Sequence, residues 1–323
     1  MTQAPVKSPA MREAFLTGLI TAMEKDESIF FLSADFGSPV LDTLRAQFPD
    51  RFLNVGVAEQ NLINVSAGLA LEGYKVFAYA IAPFITMRCF EQIRVNLALL
   101  SEVRPLNVNL VGVGAGYSYV VSGPTHQCLE DLSIMRALPS MQVFSPSDSY
   151  SAAALIQPCL QNMGPKYLRF DVQPLPVLYA GQTPDMKRGY HIHRTGKGTC
   201  LVATGYMVHT ALAAAARLQS VGQNVGVIDF FSLSRFSAEE LKETLRPYDR
   251  IVTLEEGFQG RGGLDALIAA FVARHDLAAR LLMIGVEGSY RFDLGTREAL
   301  HKNVGIDTNS VFERIKKFTH RSI

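Results

Sequence analysis

RFLNVGVAEQNLINVSAGLALEG, residues 51–73, is the stretch that decides the fold. An apolar run ending at Val55 predicts a strand, Gly56 predicts a turn, and the residues from Ala58 onward predict a helix. Glu59 therefore stands at a strand-to-helix corner. A carboxylate there meets the positive end of the helix dipole, and in α/β sheets such corners border ligand clefts. Glu59 is thus the first candidate for a functional residue.

Alternating strand and helix patterns extend outward from this stretch. Residues 11–26 carry apolar side chains at helical spacing, and Ser38-Pro39 predicts the capped start of another helix. Further helical runs separate a series of short apolar segments. This alternation predicts a mostly parallel sheet with helices on both faces. The predicted strands are Ile29–Leu32, Lys75–Ala80, Asn107–Val113, Met141–Phe144 and Lys166–Phe170.

The pattern lapses and then resumes. Proline and glycine punctuate the residues after Asp171, and we interpret 176–197 as a linker between domains. From Cys200 onward, strand and helix patterns alternate again. We therefore predict an α/β protein with two doubly wound domains. The first, 1–175, has a mostly parallel sheet, and the second, 198–323, is smaller.

Composition is that of an ordinary globular protein. The 323 residues are 48% hydrophobic and 19% charged, and 31 basic against 30 acidic side chains leave a net charge of +1. This balance gives no reason to expect nucleic acid or a membrane surface as a partner. The first ten residues lack the apolar run of a secretory signal, so we expect a cytoplasmic protein. The four cysteines lie far apart without a CxxC pair, which predicts buried, reduced thiols.

A second motif reads GPTHQ at 123–127 and is followed by LEDL at 129–132. Together with AEQN at 58–61, it resembles the pyrimidine-binding half of transketolases, the thiamine diphosphate enzymes that transfer two-carbon ketol units. The segments TGYMVHTA at 204–211 and EEG at 255–257 resemble the C-terminal domain of the same enzymes. The resemblance covers nearly the whole chain. It implies a thiamine-pyrimidine domain followed by a transketolase C-terminal-like domain.

The resemblance also implies roles for individual residues. Glu59 would bond to N1′ of the cofactor's pyrimidine, where a carboxylate favours the imino form that removes the thiazolium proton. His126 would donate a proton or a hydrogen bond to the oxygens of the two-carbon unit. The positions that cover the pyrimidine ring fall near Phe84 and Ile85. Either Ile85 packs on the ring or the loop places Phe84 there, and Phe84 suits a core position equally well.

The remaining candidates concern the cofactor's surroundings and the sugar's far end. Asp35 follows a predicted strand and is either a cofactor contact or a turn residue beside a glycine. The resemblance carries sugar-phosphate contacts to Arg12 and Ser38, although Ser38 also suits a helix cap and Arg12 a solvated first turn. A histidine and an arginine that contact phosphate in the family fall on Gly114 and Val172. We therefore expect altered recognition of the terminal group.

One family motif is missing from the chain. Thiamine enzymes hold Mg²⁺ and the diphosphate with Gly-Asp-Gly and a later asparagine, and the sequence contains no Gly-Asp-Gly. We therefore expect no metal ligands here and a separate diphosphate-binding subunit, with two copies of each chain forming two sites. The favoured interpretation is the C-terminal subunit of a split transketolase that acts on sugars or sugar phosphates.

Three alternatives stay open. Two belong to the same superfamily, namely the β subunit of a 2-oxoacid dehydrogenase and an enzyme similar to deoxyxylulose-phosphate synthase. The third is a non-catalytic regulatory or interaction subunit, since a fold does not fix a function. The presence of both Glu59 and His126 favours a catalytic chain.

Overall fold

Six parallel strands form the first sheet of the structure, a computed structural model that describes residues 8–320. The strands are β1 (Ile29–Ser33), β2 (Phe52–Asn54), β3 (Lys75–Ile81), β4 (Asn107–Val113), β5 (Gln142–Phe144) and β6 (Gly164–Phe170). Their spatial order is β2-β1-β3-β4-β6-β5. The predicted parallel sheet is confirmed, and the five predicted strands lie within about two residues of their expected bounds.

Helices cover both faces of this sheet, and alternate strand residues belong to two separate hydrophobic cores, one on each face. Val76 and Ala78 of β3 belong to one core, and Phe77 and Tyr79 belong to the other. Two π-helical turns, Phe84–Arg88 and Arg94–Leu99, flank the short helix Phe90–Ile93. The helices are α1 (Met11–Met23), α2 (Pro39–Gln47), α3 (Glu59–Leu71), α4 (Phe90–Ile93), α5 (Asp131–Arg136), α6 (Ser149–Ala154) and α7 (Ile156–Gln161).

The second half of the chain builds a five-stranded mixed sheet. Its strands are β7 (His191–Arg194), β8 (Gly198–Ala203), β9 (Gly226–Asp229), β10 (Tyr248–Phe258) and β11 (Arg280–Val286), in the order β11-β10-β8-β9-β7. Its helices are α8 (Met207–Ser220), α9 (Ala238–Leu245), α10 (Leu264–Arg274), α11 (Arg297–Val304) and α12 (Thr308–His320). The predicted second α/β unit is thereby confirmed.

One strand lies where the sequence predicts only a linker. Strand β7 falls inside 176–197 and pairs antiparallel with β9 at the sheet edge. All four of its residues are half-buried, and three of them are histidine or arginine. The strand therefore lacks the apolar alternation by which strands are recognised in a sequence.

A buried cluster of charged side chains joins the two units. Arg297 of α11 donates from Nε to Glu256 at 2.9 Å and from Nη1 to Asp171, just after β6, at 2.5 Å. His301 also bonds the Glu256 carboxylate. Burial alone would raise the pKa of Glu256, but Arg297 and His301 hold it well below its usual range. All four side chains are at most 5% exposed, so the units meet through compensated buried charges.

A second buried arginine continues this junction. Arg169 of β6 donates from Nε to the Asp131 carboxylate at 2.7 Å and from Nη2 to the Glu256 carbonyl oxygen at 2.8 Å. Gly116, in the loop that follows β4, packs against Glu256, and a Cβ on this residue would lie 2.0 Å from a Glu256 carboxylate oxygen. Gly116 also has a φ of +54°, in the left-handed region that favours glycine. The loop that follows β4 is therefore held against the second unit.

The four cysteines are free and buried, which confirms that part of the sequence prediction. Burial raises the pKa of the Cys89 and Cys159 thiols to about 12, and it raises the pKa of Cys128 and Cys200 as well. Within residues 8–320, no helix combines the length and apolar character that crossing a membrane requires.

Candidate active site

The candidate site lies where the parallel strands of the first sheet end. Glu59 is the first residue of α3, reached from β2 through Gly56, whose φ is +76°. Its side chain is only 3% exposed, yet it forms an ion pair with the half-exposed Arg88, from Nη1 to the carboxylate at 2.7 Å. The predicted strand-to-helix corner is therefore present. It holds a nearly buried carboxylate paired with a long, planar-headed cation.

Phe84, and not Ile85, faces this carboxylate's surroundings. The guanidinium carbon of Arg88 lies 4.6 Å from the centre of the Phe84 ring. Phe84 is half-buried, whereas Ile85 is fully buried in the core beneath the sheet. Of the two options that the sequence leaves open for a ring-covering residue, the arrangement favours Phe84. Ile85 packs in the core of this chain.

His126 lies on the other side of Phe84. The two rings contact each other edge to face, with centres 5.2 Å apart, and the Tyr119 ring lies 5.8 Å from the histidine. The backbone N–H of His126 donates to the Gly123 carbonyl at 3.1 Å, and its Nδ1 lies 3.0 Å from the Thr125 hydroxyl. Glu59 and His126, which are far apart in sequence, thus belong to one contiguous group of side chains.

Asp35 ties two loops of the site together. Its backbone has a φ of +50°, and it exchanges hydrogen bonds with the Asn54 side chain, each at 3.0 Å. The same Asn54 oxygen accepts a bond from the Gly56 N–H. Asp35 therefore fixes the turn that precedes Glu59. This arrangement favours the turn interpretation of Asp35 over direct contact with a cofactor.

Arg12 and its neighbours form the polar end of the site. The guanidinium of Arg12 lies 5.8 Å from the centre of the Phe36 ring, which stacks on Tyr79 with ring centres 5.2 Å apart. The Tyr119 hydroxyl and the Nε of Arg12 are buried and, within residues 8–320, have no hydrogen-bond partner, whereas the buried Tyr79 hydroxyl lies beside the Arg12 guanidinium. Buried polar atoms normally have a hydrogen-bond partner. Partners from a ligand or another chain would satisfy the Tyr119 hydroxyl and the Arg12 Nε.

Ser38 has the N-cap position predicted for it, with Pro39 as the first residue of α2. Its side chain, however, makes no capping hydrogen bond. Its hydroxyl is instead buried and lacks a partner among residues 8–320. The alternative assignment, a contact with the sugar phosphate, therefore stays a proposal.

Gly114 and Val172 stand where the resemblance implies a histidine and an arginine, and their surroundings differ. At Gly114, with a φ of +112°, a Cβ would lie 2.2 Å from the Tyr119 ring. Tyr119 thus occupies the room that a larger residue at 114 would need. Val172 is half-buried and packs against the core that contains α1.

Three residues of the site were not anticipated from the sequence. Arg88 follows Phe84 by four residues in a π-helical turn, and this spacing is the one sequence signal that could have predicted their contact. Tyr119 lies in an irregular loop, and the contact of Asn54 with Asp35 joins the ends of two neighbouring strands. Their roles depend on how separate loops meet.

The group places a nearly buried carboxylate, a guanidinium and an aromatic ring in contact beside a cavity. A cavity of ≈ 450 Å³ borders Glu59 and Arg88 and includes Val57, Asn61 and Asn64. A buried carboxylate beside an aromatic ring favours a protonated or N–H-bearing planar group. In the part of the chain that the structure describes, no group of three or more His, Cys, Asp or Glu side chains could hold a metal ion.

Comparison with known proteins matches each unit separately. Residues 7–177 match the family of the transketolase pyrimidine binding domain, and residues 189–311 match the family of the transketolase C-terminal domain. The boundary between the matches falls inside the predicted linker and just before β7.

Whole-length relatives were also found. One subunit of the apulose-4-phosphate transketolase of Actinobacillus succinogenes is 31% identical over 83% of this chain and 84% of its own length. The 6-deoxy-6-sulfo-D-fructose transketolase subunit SqwH of Clostridium sp. is 29% identical over 96% of this chain and 95% of its own. A solved split-gene transketolase, an inactive beta4 tetramer, superposes with a TM-score of 0.84 at 31% identity. That superposition covers 96% of this chain and 98% of the solved one.

Proposed function

Because this chain belongs to the transketolase family, we propose that it is the catalytic pyrimidine-binding subunit of a two-chain transketolase. The reaction would move a two-carbon ketol unit from a ketose, or its phosphate, to an aldose. One observation carries this proposal: the nearly buried Glu59, the Phe84 ring and His126 form one group at the ends of the parallel strands. A carboxylate, an aromatic cover and a proton donor are what such chemistry needs from this half of the site.

The site's residues suit the pyrimidine of thiamine diphosphate. The carboxylate of Glu59 already pairs with a planar cationic N–H donor, the guanidinium of Arg88, and that donor lies against the Phe84 ring. A protonated aminopyrimidine has the same requirements. Thiamine diphosphate, when bound, would supply the acidic thiazolium carbon that carries the two-carbon unit. Glu59 would hold the proton at pyrimidine N1′, and Phe84 would cover the ring.

His126 would act on the substrate. Its ring is held between those of Phe84 and Tyr119, and its Nδ1 pairs with Thr125. Nε2 is therefore the nitrogen available to exchange a proton with the oxygens of the two-carbon unit, and general acid–base groups of this kind contribute about 10²–10⁴-fold. The proton transfer would then occur beside the carboxylate of Glu59, in one site.

A second chain would complete the site. The sequence lacks Gly-Asp-Gly, and residues 8–320 offer no cluster for a cation. Mg²⁺ and the diphosphate would therefore bind to a separate subunit, and we propose two copies of each chain. Two observations support this assembly: the apulose-4-phosphate relative is named as one subunit of its enzyme, and the solved beta4 tetramer is inactive.

Reconstitution tests the activity directly. The chain is mixed with its diphosphate-binding partner, thiamine diphosphate, Mg²⁺, a labelled ketose donor and an aldose acceptor, and label in the lengthened acceptor is the expected result. Release of CO₂ from pyruvate by the same mixture would instead favour a 2-oxoacid dehydrogenase. Failure of every ketose, with cofactor bound, would contradict the proposed reaction.

We expect the isolated chain to bind thiamine diphosphate negligibly. The carboxylate site and the apolar ring face supply only half of the contacts, and the diphosphate would find no cation cluster within residues 8–320. Calorimetry with Mg²⁺ should therefore detect binding only after the partner is added. Micromolar, Mg²⁺-dependent binding to the chain alone would contradict the split site.

The terminal group of the substrate provides a further prediction. Arg12 is the cation at the polar end, and the Tyr119 hydroxyl lies buried without a hydrogen-bond partner in the described chain. Removing a charged hydrogen bond typically costs about 1.5–3 kcal/mol. Arg12→Ala should therefore lower kcat/KM for a ketose with an anionic terminus by about 10- to 100-fold. A neutral ketose should be affected little.

Comparing kcat/KM among ketoses with different terminal groups tests how the terminal group of the substrate is recognised. Xylulose 5-phosphate is tested beside ketoses of other lengths and with a sulfonate terminus, because the two relatives are named for different sugars. Arg45→Ala, an exposed arginine of α2 on the Phe52 ring, is the control. Ordinary pentose-phosphate kinetics that survive the loss of Arg12 would contradict both the altered recognition and the role of Arg12.

A further inference from the structure

Arg88 fills the place where the proposed site would receive a ligand. Its Nη1 donates to the Glu59 carboxylate at 2.7 Å, while its guanidinium carbon lies 4.6 Å from the Phe84 ring centre. A guanidinium is flat, cationic and rich in N–H donors. It therefore makes, within this chain, the two contacts that a protonated aminopyrimidine would need.

A ring that bonded the same carboxylate oxygen, Oε2, and lay against Phe84 where the guanidinium lies would have to displace Arg88. Glu59 is 3% exposed, and the half-exposed Arg88 covers the carboxylate oxygen with which it pairs. We propose that Arg88 occupies the place of the pyrimidine before the cofactor binds and is displaced when it binds. This inference rests on the proposed function, since it assigns Glu59 and Phe84 to the pyrimidine.

The structure allows this displacement with little disturbance. The Arg88 side chain is 46% exposed, so its guanidinium can turn into solvent. Its backbone carbonyl accepts a bond from the Gln60 side chain at 3.3 Å, which anchors the main chain during the movement. Among residues 8–320, Glu59 is the one carboxylate with which Arg88 forms an ion pair. A rotation of one side chain would therefore open the site.

The ion pair between Arg88 and Glu59 stabilises the chain before the cofactor binds. A buried carboxylate without a counter-charge destabilises the fold, and the guanidinium supplies that charge until the ring arrives. The consequence is kinetic, because a ligand that binds only the open form has an apparent affinity reduced by the open fraction. Arg88 would thus slow cofactor entry without contributing to cofactor retention.

The test uses Arg88→Met in the reconstituted two-chain complex. Methionine keeps an unbranched apolar stem over Phe84 but removes the charge. Association and release of radiolabelled thiamine diphosphate are measured at saturating Mg²⁺, the release by chase with unlabelled cofactor. We expect the association rate to rise about three- to tenfold with the release rate unchanged. Arg94→Met is the control, because Arg94 is a similarly exposed arginine paired with the exposed Glu91.

Each alternative outcome is distinct. Faster release would show that Arg88 holds the bound cofactor, and unchanged rates would show that it does not obstruct entry; both overturn the inference. If Arg88→Met unfolds at a lower temperature than the unaltered chain, Arg88→Lys is used instead, and its association rate should lie between those of the other two. If the unaltered complex does not bind thiamine diphosphate at all, the proposed function itself fails.

Discussion

Glu59→Gln is expected to reduce kcat of the reconstituted enzyme by about 10²–10⁴-fold. The amide has the size of the carboxylate and can still accept a bond from Arg88, so the corner between β2 and α3 should persist. It cannot, however, hold a proton at pyrimidine N1′. The loss should therefore appear in turnover and not in the folding of the chain.

Kinetics at saturating cofactor, together with thermal unfolding of the same sample, check this expectation. Glu91→Gln serves as the matched control, since Glu91 is an exposed carboxylate of α4 that pairs with an arginine, Arg94. The control should keep wild-type turnover. A Glu59→Gln enzyme that retains more than about a tenth of the wild-type kcat would contradict the assignment of Glu59 as a general acid–base group.

Glu256→Gln is expected to destabilise the chain by about 3–5 kcal/mol, because one partner of a buried ion cluster is removed while the others remain. The carboxylate contacts Arg297 and His301, and all three side chains are at most 5% exposed. The variant leaves Arg297 with Asp171 as its remaining carboxylate. Urea unfolding should show a lower midpoint with a similar slope.

The pH dependence of the unfolding free energy below neutral pH gives a second test of the same cluster. The folded pKa of Glu256 lies well below its usual range, whereas an unfolded glutamate titrates near about 4.3. The folded state therefore binds fewer protons, and this stabilisation is present above the unfolded pKa and lost as the pH falls below it. Burial raises the pKa of Asp171, which opposes the effect in part. Glu256→Gln should weaken this pH dependence.

A control on the same helix separates charge from position. Glu298 follows Arg297 in α11 and is exposed, so Glu298→Gln should change the unfolding free energy by less than about 0.5 kcal/mol. An equal loss in both variants would mean that the helix, and not the buried cluster, is the sensitive feature. An unchanged midpoint in Glu256→Gln would contradict the role of the cluster.

The sequence predicted those parts of the fold that depend on local pattern. Strands β1 and β3 are mostly apolar, and β4 is buried along its whole length, so hydrophobicity was a reliable signal for them. Strand β7 was missed because its polar residues are stabilised by pairing with β9, a contact between distant segments. The helix start predicted at Ser38-Pro39 was correct, although the serine hydroxyl makes no capping bond to the helix amides.

The candidate site was predictable one residue at a time but not as an arrangement. Glu59 and His126 were found through motifs, and the choice between Phe84 and Ile85 required the packing of a π-helical turn. Arg88 has no motif, because its importance comes from the side chains that it touches after folding. The sheet determines which loops lie next to each other, and a sequence pattern does not give the distances between side chains on separate loops.

The buried cysteines make the chain a convenient background for chemical labelling. Reaction with maleimides or iodoacetamides requires a thiolate at an accessible surface, and burial denies all four native thiols both conditions. Val57 is 73% exposed and borders the cavity beside Glu59, so Val57→Cys would place one reactive thiol at the mouth of the site. A fluorophore attached there would report the arrival of the second subunit, with no native cysteine needing replacement.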